Sequence, residues 1–396
     1  MASNYNPKIV TDGLVLCLDA ADKNSYPGEP TTNLAPYPFN GDATGTETGT
    51  WGSTDGSWTP NSGSIVQMVD PFGTTRNVIE YTNHSSGHFY GQPSYLTGLS
   101  YNSVTLATGS YYVSAYFKAS SAITTSNILY RKGSSGNSSM GDVTLTTEWT
   151  RIGRTFEATT AGSHYFRHYS YSVPSNWNLW VTGLQIEAKS HATPFVNGTR
   201  SATDGWKDLT GNGNHGDLTN MTFDSDGQMD FNGSDDYISV ADDSTLNFGS
   251  GDFTISVWFS NTGDGTYNCL YGDYSAGDKW IQITDGDDVR AGFRDSSGNE
   301  NDYISTYEVT DGVIYNVMLL RDGNNNHLYV NGALVNTKTV AGVGDTDSGT
   351  NKSIGSLATT TNNHKGNIYC VQIYNRSLSA KEISQNFNAQ RSRFGV

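Results

Sequence analysis

Segments in which apolar and polar side chains alternate recur along the whole chain: Leu14–Leu18, Tyr111–Phe117, Trp180–Ile186, Phe253–Phe259, Ile314–Leu320 and Ile368–Tyr374. A period of two sends one set of side chains to a core face and the other away from it, so each segment is expected to be a strand. Clusters of Gly, Asn, Asp and Ser separate them, as in Arg321–Asn326. The clearest local prediction is a hairpin. Leu328–Val330 and Ala333–Asn336 flank Asn331-Gly332, a pair that tolerates the positive φ of a tight type I′ turn. A helix is predicted only near the C-terminus, from Ala380 to Arg391. Ser379 serves as its N-cap, Glu382 completes a capping box, and Leu378 with Ile383 forms a hydrophobic staple. Ile383 and Phe387 share one face, which is expected to dock on a sandwich edge. Ser114-Ala-Tyr-Phe117 and Ser256-Val-Trp-Phe259 repeat one pattern, which predicts two sandwiches of similar build.

Composition strengthens this picture. Charged residues make up only 16% of the chain, there are 44 glycines, and thirty of the 39 acids are Asp, the carboxylate of turns. The expected fold class is all-β: two β-sandwich domains with one short C-terminal helix. A chain of 396 residues has room for both cores. The net charge of −16 repels phosphate backbones and anionic headgroups, so no nucleic acid partner is expected. No apolar run approaches the roughly 20 residues that cross a bilayer, so no membrane insertion is expected. Met1–Val10 lacks the basic start and apolar stretch of an export signal. Cys17, Cys269 and Cys370 are odd in number and widely spaced, which predicts reduced core thiols rather than a disulfide framework.

Four segments carry a family resemblance. Val10–Gly28, Trp206–Gly216, Met229–Ile238 and Phe253–Phe259 together resemble the laminin-G-like, concanavalin-A-like jelly roll of tailed-phage structural proteins. Ile373–Gly395 is similar to the terminus of such proteins in cyanobacterial phages. In that family the Tyr-Pro-Gly segment runs almost directly into Trp-x-Asp-Leu-Thr-Gly-Asn, whereas here Glu29 to about Asp204 intervenes. The resemblance therefore implies nesting: residues 1–29 and 205–396 form one discontinuous sandwich, and 30–204 a second one inserted into it. Leu14–Leu18 would then pair with Ile368–Tyr374. Within the insert, Thr32–Pro36, Trp149–Phe156 and Trp180–Val196 resemble the carbohydrate-binding-module-like jelly rolls of phage fibres.

Candidate chemistry is sparse. Glucanases on concanavalin-like folds carry Glu-x-Asp-x-Glu on one strand, and the nearest approach here, Glu300-Asn-Asp302-Tyr-Ile304, lacks its third acid and is expected to be a solvated loop. Gly211–Gly216 matches G-x-G-x-x-G but lacks the flanking strand and helix, so it reads as a glycine turn. His84 with His88 and His164 with His168 fall on common strand faces, as exposed polar positions. His164, Tyr165, Arg167, Tyr169, Tyr171 and Trp177 mix rings with hydrogen-bonding groups, which suits a glycan groove. The Asp-rich turns holding Asp224, Asp226, Asp285 and Asp287 are candidates for Ca2+, an ion that laminin-G-like relatives carry. Asp322–Asn326 imitates an EF-hand start, but His327 and Ala333 at its sixth and twelfth positions exclude that site.

The resemblance implies a non-enzymatic virion protein, on a fibre, tail or head surface, assembled in the host cytoplasm. Its expected partners are other virion proteins, copies of itself (as a trimer, by likeness to phage fibres) and host-surface glycans. Two alternatives use the same folds: a glycan-degrading depolymerase, and a cellular adhesin, for which the missing export signal is awkward.

Overall fold

The computed structural model of the chain describes residues 8–35, 63–83, 87–91, 103–126, 128, 130–133, 136–139, 141–196, 198–221, 227–263, 266–273, 277–347, 349–357 and 361–396. It is nearly all β, with one α-helix at the C-terminal end, as the alternating pattern predicts. Contacts divide the chain into two compact units: Met1–Glu29 with Ser201–Val396, and Pro30–Arg200.

The outer unit is a sandwich of two seven-stranded antiparallel sheets. The first runs Leu14–Asp19, Lys365–Tyr374, Phe253–Asn261, Ile314–Asp322, Asn325–Val330, Ala333–Thr339, and Met229–Asn232 also pairs with Lys365–Tyr374. The second runs Gly216–Thr219, Tyr237–Val240, Lys352–Ile354, Asn268–Gly272, Asp278–Ile283, Asp288–Arg294, Glu300–Glu308. Their inner faces meet in one apolar core that includes Leu16, Ile255, Val257, Phe259, Ile281, Phe293 and Ile354. At the predicted hairpin, Val330 pairs with Ala333, and Asn331 and Gly332 have φ of 49° and 75°, as a type I′ turn requires.

Strand Leu14–Asp19 is an edge strand, and an unpaired edge must be covered. On one side it pairs with Lys365–Tyr374, with Asp19 opposite Cys370 and a bulge between Leu14 and Leu16. On the other side the polar loop 207–214 takes the place of a strand. Cys17 N–H donates to Asp208 Oδ1 at 2.9 Å, and Leu209 N–H donates to the Cys17 carbonyl at 2.9 Å. The Val15 carbonyl accepts from Asn212 Nδ2, Asn214 Nδ2 and Thr210 Oγ1. Asp208 also receives Thr210 N–H at 3.0 Å and Thr210 Oγ1 at 2.6 Å, so one buried carboxylate holds both the loop and the strand. The G-x-G-x-x-G match is thus part of an edge cover, with Gly211 and Gly213 at φ of 86° and 84°.

The helix runs Ala380–Phe394, one turn beyond the expected end, and stops at Gly395, whose φ of 71° is a left-handed cap. Its capping box forms as read from Ser379 and Glu382. Rather than docking on an edge, it covers the outer face of the first sheet. Trp258 lies on that face, stacks on Phe387 (5.6 Å) and Phe394 (4.5 Å), and donates its indole N–H to Gln390 at 2.7 Å. The reason is alternation: Val257 and Phe259 face the core, so Trp258 faces away and needs a cover. The helix also holds the chain start, through Asn386 to Val10 N–H (2.7 Å) and Arg393 to Asp19 (2.7 Å). All three cysteines are free and buried.

The insert has its own core between two five-stranded sheets. One runs Thr150–Ala158, Gly109–Ala119, Trp177–Glu187, Thr75–Asn83, Gly63–Val69. The other runs Gly136–Ser139, Tyr130–Gly133, Gly162–Val173, Gly87–Gly91, with Ser103–Leu106 pairing with Gly162–Val173. The ends of the insert meet, Thr32 opposite Thr199 and Thr31 opposite Arg200. Asn33 fastens this closure by donating to the Leu184 carbonyl and accepting from Ile186 N–H.

Asp208→Ala should cost roughly 2–4 kcal/mol in denaturant unfolding of the outer unit, because it strands several buried donors at once. A change below about 0.5 kcal/mol, the range of ordinary surface substitutions, would contradict the role given to the loop.

Candidate functional site

The residues predicted for a glycan groove do not assemble into one. His164 and Trp177 point into the insert core, on the inward positions of Gly162–Val173 and Trp177–Glu187. His164 is fully buried, not an exposed polar position as expected, with Nδ1 3.0 Å from Arg131 Nη1. Burial, reinforced by that guanidinium, lowers its pKa and keeps the ring neutral. Trp177 is 1% exposed and donates its indole N–H to the Ser121 carbonyl at 3.1 Å. Neither ring can offer a face to a sugar. Tyr165, Arg167, Tyr169 and Tyr171 lie on the same strand as His164, but their side chains fall outside the described residues, as do His84 and the side chains of His88 and His168.

Asp224 and Asp226 also lie outside the described residues. Asp285 and Asp287 sit in the turn between Asp278–Ile283 and Asp288–Arg294, which is organised by hydrogen bonds of Thr284 to Gly286, Asp287 and Asp288 and by the φ of 63° at Asp287. Among the described residues no three His, Cys, Asp or Glu side chains converge as metal ligands would.

The outer face of the second sheet of the outer unit holds a different constellation. Glu300–Glu308 is a strand, not the expected loop, so Glu300 and Asp302 share a face at period two. Asp302 is opposite Gly292, and Gly292 is opposite Trp280. The indole therefore lies across a glycine to reach the carboxylate, with Nε1 3.2 Å from Asp302 Oδ1. A Cβ at Gly292 would stand 2.7 Å from Trp280 Cζ2. Arg290, one row along, lies 5.5 Å over the indole and grips Asp302 through Nε and Nη2, the latter at 2.7 Å. Its Nη1 donates to Gln282 at 3.2 Å. Sequence reasoning weighed Asp302 as a failed catalytic acid and overlooked Trp280 and Arg290, because only the register of three strands brings them together.

Chemically this is a rigid cluster in which the paired Arg290 and Asp302 reach solvent, with side chains 28% and 15% exposed, over a buried indole and a buried Gln282 amide. Both Asp302 oxygens are engaged, and the sequence has no acid at the third position of the triplet. Beside it Asp278 is paired with Arg294 at 2.9 Å, and burial pushes its carboxyl up to about 6 against the pull of that arginine.

Residues 231–384 match a family model described as the Concanavalin A-like lectin/glucanases superfamily. That segment is a concanavalin A-like jelly roll. No curated protein matches the chain in sequence. Among solved structures the chain is similar to the binding domain of Paraclostridial Mosquitocidal Protein 1, at 20% identity and TM-score 0.41 over 47% of this chain and 50% of that one. It is also similar to the botulinum neurotoxin serotype G binding domain, at 16% identity and TM-score 0.40 over 48% and 50%. The chain thus spans about half the length of the structures it matches, and likenesses this distant say nothing of what it binds.

Gly292→Ala should destabilise the outer unit by about 1–3 kcal/mol and shift Trp280 emission, since the methyl has no room; an unchanged unfolding midpoint and spectrum would refute the packing. For Asp278 the folded pKa lies above the unfolded one, so the cost of ionising it in the fold accumulates as pH rises from about 4 to about 6 and is constant above. Asp278→Asn should remove that slope, worth up to about 3 kcal/mol, in melting profiles taken across this range. Parallel wild-type and variant profiles would contradict it.

Proposed function

We propose that the chain is a non-enzymatic, lectin-like adhesion protein on the surface of a tailed-phage virion, where it presents sandwich faces to host-surface glycans. The observation that carries adhesion is the Trp280–Arg290–Asp302–Gln282 platform. Arg290 and Asp302 are the groups it turns to solvent, and its carboxylate is already tied to a guanidinium, which leaves it neither to protonate a leaving oxygen nor to attack a sugar carbon. The superfamily matched by residues 231–384 is named for lectins and glucanases alike, so it supports a sugar-directed role, and the tied Asp302 carboxylate is what favours binding over cleavage. Placement on a virion rests on the resemblance of Ile373–Gly395 and the four outer segments to phage structural proteins, with other virion proteins and further copies of the chain as assembly partners.

The test has two readouts. On an array of bacterial surface polysaccharides the protein should bind at least one glycan, release no reducing ends from it, and lose roughly tenfold or more in affinity on Arg290→Ala; turnover of the bound polymer would replace the adhesion reading with a depolymerase. Antibodies to the chain should label purified phage particles in electron micrographs. Labelling of the cell envelope of uninfected producers would favour a cellular adhesin.

A further inference from the structure

The two units solve one packing problem differently. In each, a central strand carries the same four-residue pattern, Ser114–Phe117 in the insert and Ser256–Phe259 in the outer unit, and its third residue faces away from the core. In the outer unit that residue, Trp258, is buried by the helix. In the insert it is Tyr116, and no helix is present among the described residues of that unit. The cover is instead Phe72, which meets Tyr116 edge-on at 5.1 Å and stacks on Phe195 at 5.2 Å.

Phe72 remains 43% exposed and Val69 beside it 57%. This is a fixed position rather than a loose one. Phe72 sits in the turn Asp70–Thr74, where Asp70 Oδ1 accepts the N–H groups of Phe72 and Thr74, both at 2.9 Å, and Gly73 has φ of 80°. One row along the sheet from Tyr116, roughly 7 Å along the strand at two residues per row, Trp180 lies opposite Lys118 on one side and Glu80 on the other. Its indole N–H donates to Glu80 Oε1 at 3.0 Å, and Asn178 Nδ2 lies 3.3 Å from the same oxygen. Trp180, Glu80, Lys118 and Asn178 are all partly exposed.

We infer that this outer face of the insert is a second ligand site, distinct from the outer-unit platform, and that its ligand is a neutral saccharide chain. The face joins a rigid exposed ring and a half-exposed indole to a row made of an ammonium, a carboxylate and an amide. Aromatic faces take the C–H side of a pyranose while the polar row takes its hydroxyls. Charge selects among occupants. A polyanion would meet Glu80 and a chain of net charge −16, a polycation would meet Lys118 and Arg151, which is paired opposite Tyr116, and a purely apolar partner would desolvate the polar row without replacing its bonds. A neutral, hydroxyl-rich ligand meets none of these costs. The inference deepens the adhesion reading but stands on another unit, so the two can fail separately.

The test titrates the full chain with cellohexaose, xylohexaose, mannohexaose and maltohexaose, following tryptophan emission and heat. At least one hexaose should bind, with affinity reduced tenfold or more by Phe72→Ala and by Trp180→Ala and unaltered by Leu334→Ala, an exposed position of the outer unit. Phe72→Ala removes a half-exposed ring, so its melting temperature should stay near wild type and unfolding cannot explain the loss. Three results overturn the inference: no heat or emission change with any of the four at millimolar concentration, binding that Phe72→Ala leaves intact, or a dimer in analytical ultracentrifugation that Phe72→Ala dissolves, which would assign the face to a second copy of the chain.

Discussion

The structure depends on the fastening of strand Leu14–Asp19. It belongs to the first sheet of the outer unit, yet almost two hundred residues separate it from the loop that covers its free edge, and more than three hundred from the strand it pairs with. Loop closure over such distances is entropically costly, though the cost grows only slowly with length. It is offset here by bonds concentrated on few groups. Asp208 accepts from strand and loop alike, the Val15 carbonyl gathers three side-chain donors, and the C-terminal helix reaches back to Val10 and Asp19. Without that strand the first sheet loses its edge, and Leu16 and Leu18 leave the core.

Closed in this way, the outer unit presents two unlike faces. The helix seals one with Phe387 and Phe394, whereas on the other the paired Arg290 and Asp302 lie over a buried indole and amide. The insert repeats the alternation but seals its equivalent face only in part. What these faces offer is shape, ring surface and hydrogen bonding, with the Asp302 carboxylate locked to Arg290. Such surfaces suit adhesion, where each contact is weak and several together determine residence.

Local features were the most legible in the sequence. The Asn331-Gly332 hairpin, the Ser379–Glu382 capping box and the alternating strands follow from short-range physics, and the structure contains each of them. Features set by register were not. Glu300–Ile304 looked like a loop because its flanking Ser-Gly-Asn is turn-forming, but pairing with Asp288–Arg294 makes it a strand and delivers Asp302 to Arg290. His164 and Trp177 looked like groove residues because composition does not reveal which face of a strand is buried; both turned inward. The helix docked on a face rather than an edge because an outward Trp258 had to be covered, a need visible only once the sheet order is known. A signal for Trp280 did exist: glycine at Gly292, across from a large ring, marks a strand position kept clear for it.

Amide hydrogen exchange of Leu14–Asp19 tests this account most directly. If the strand is fastened as described, the Leu16 and Leu18 amides should exchange only with global unfolding of the outer unit, at the same free energy as the amides of Lys365–Tyr374. Exchange of Leu14–Asp19 on the timescale of a frayed chain end, while Lys365–Tyr374 stays protected, would contradict it.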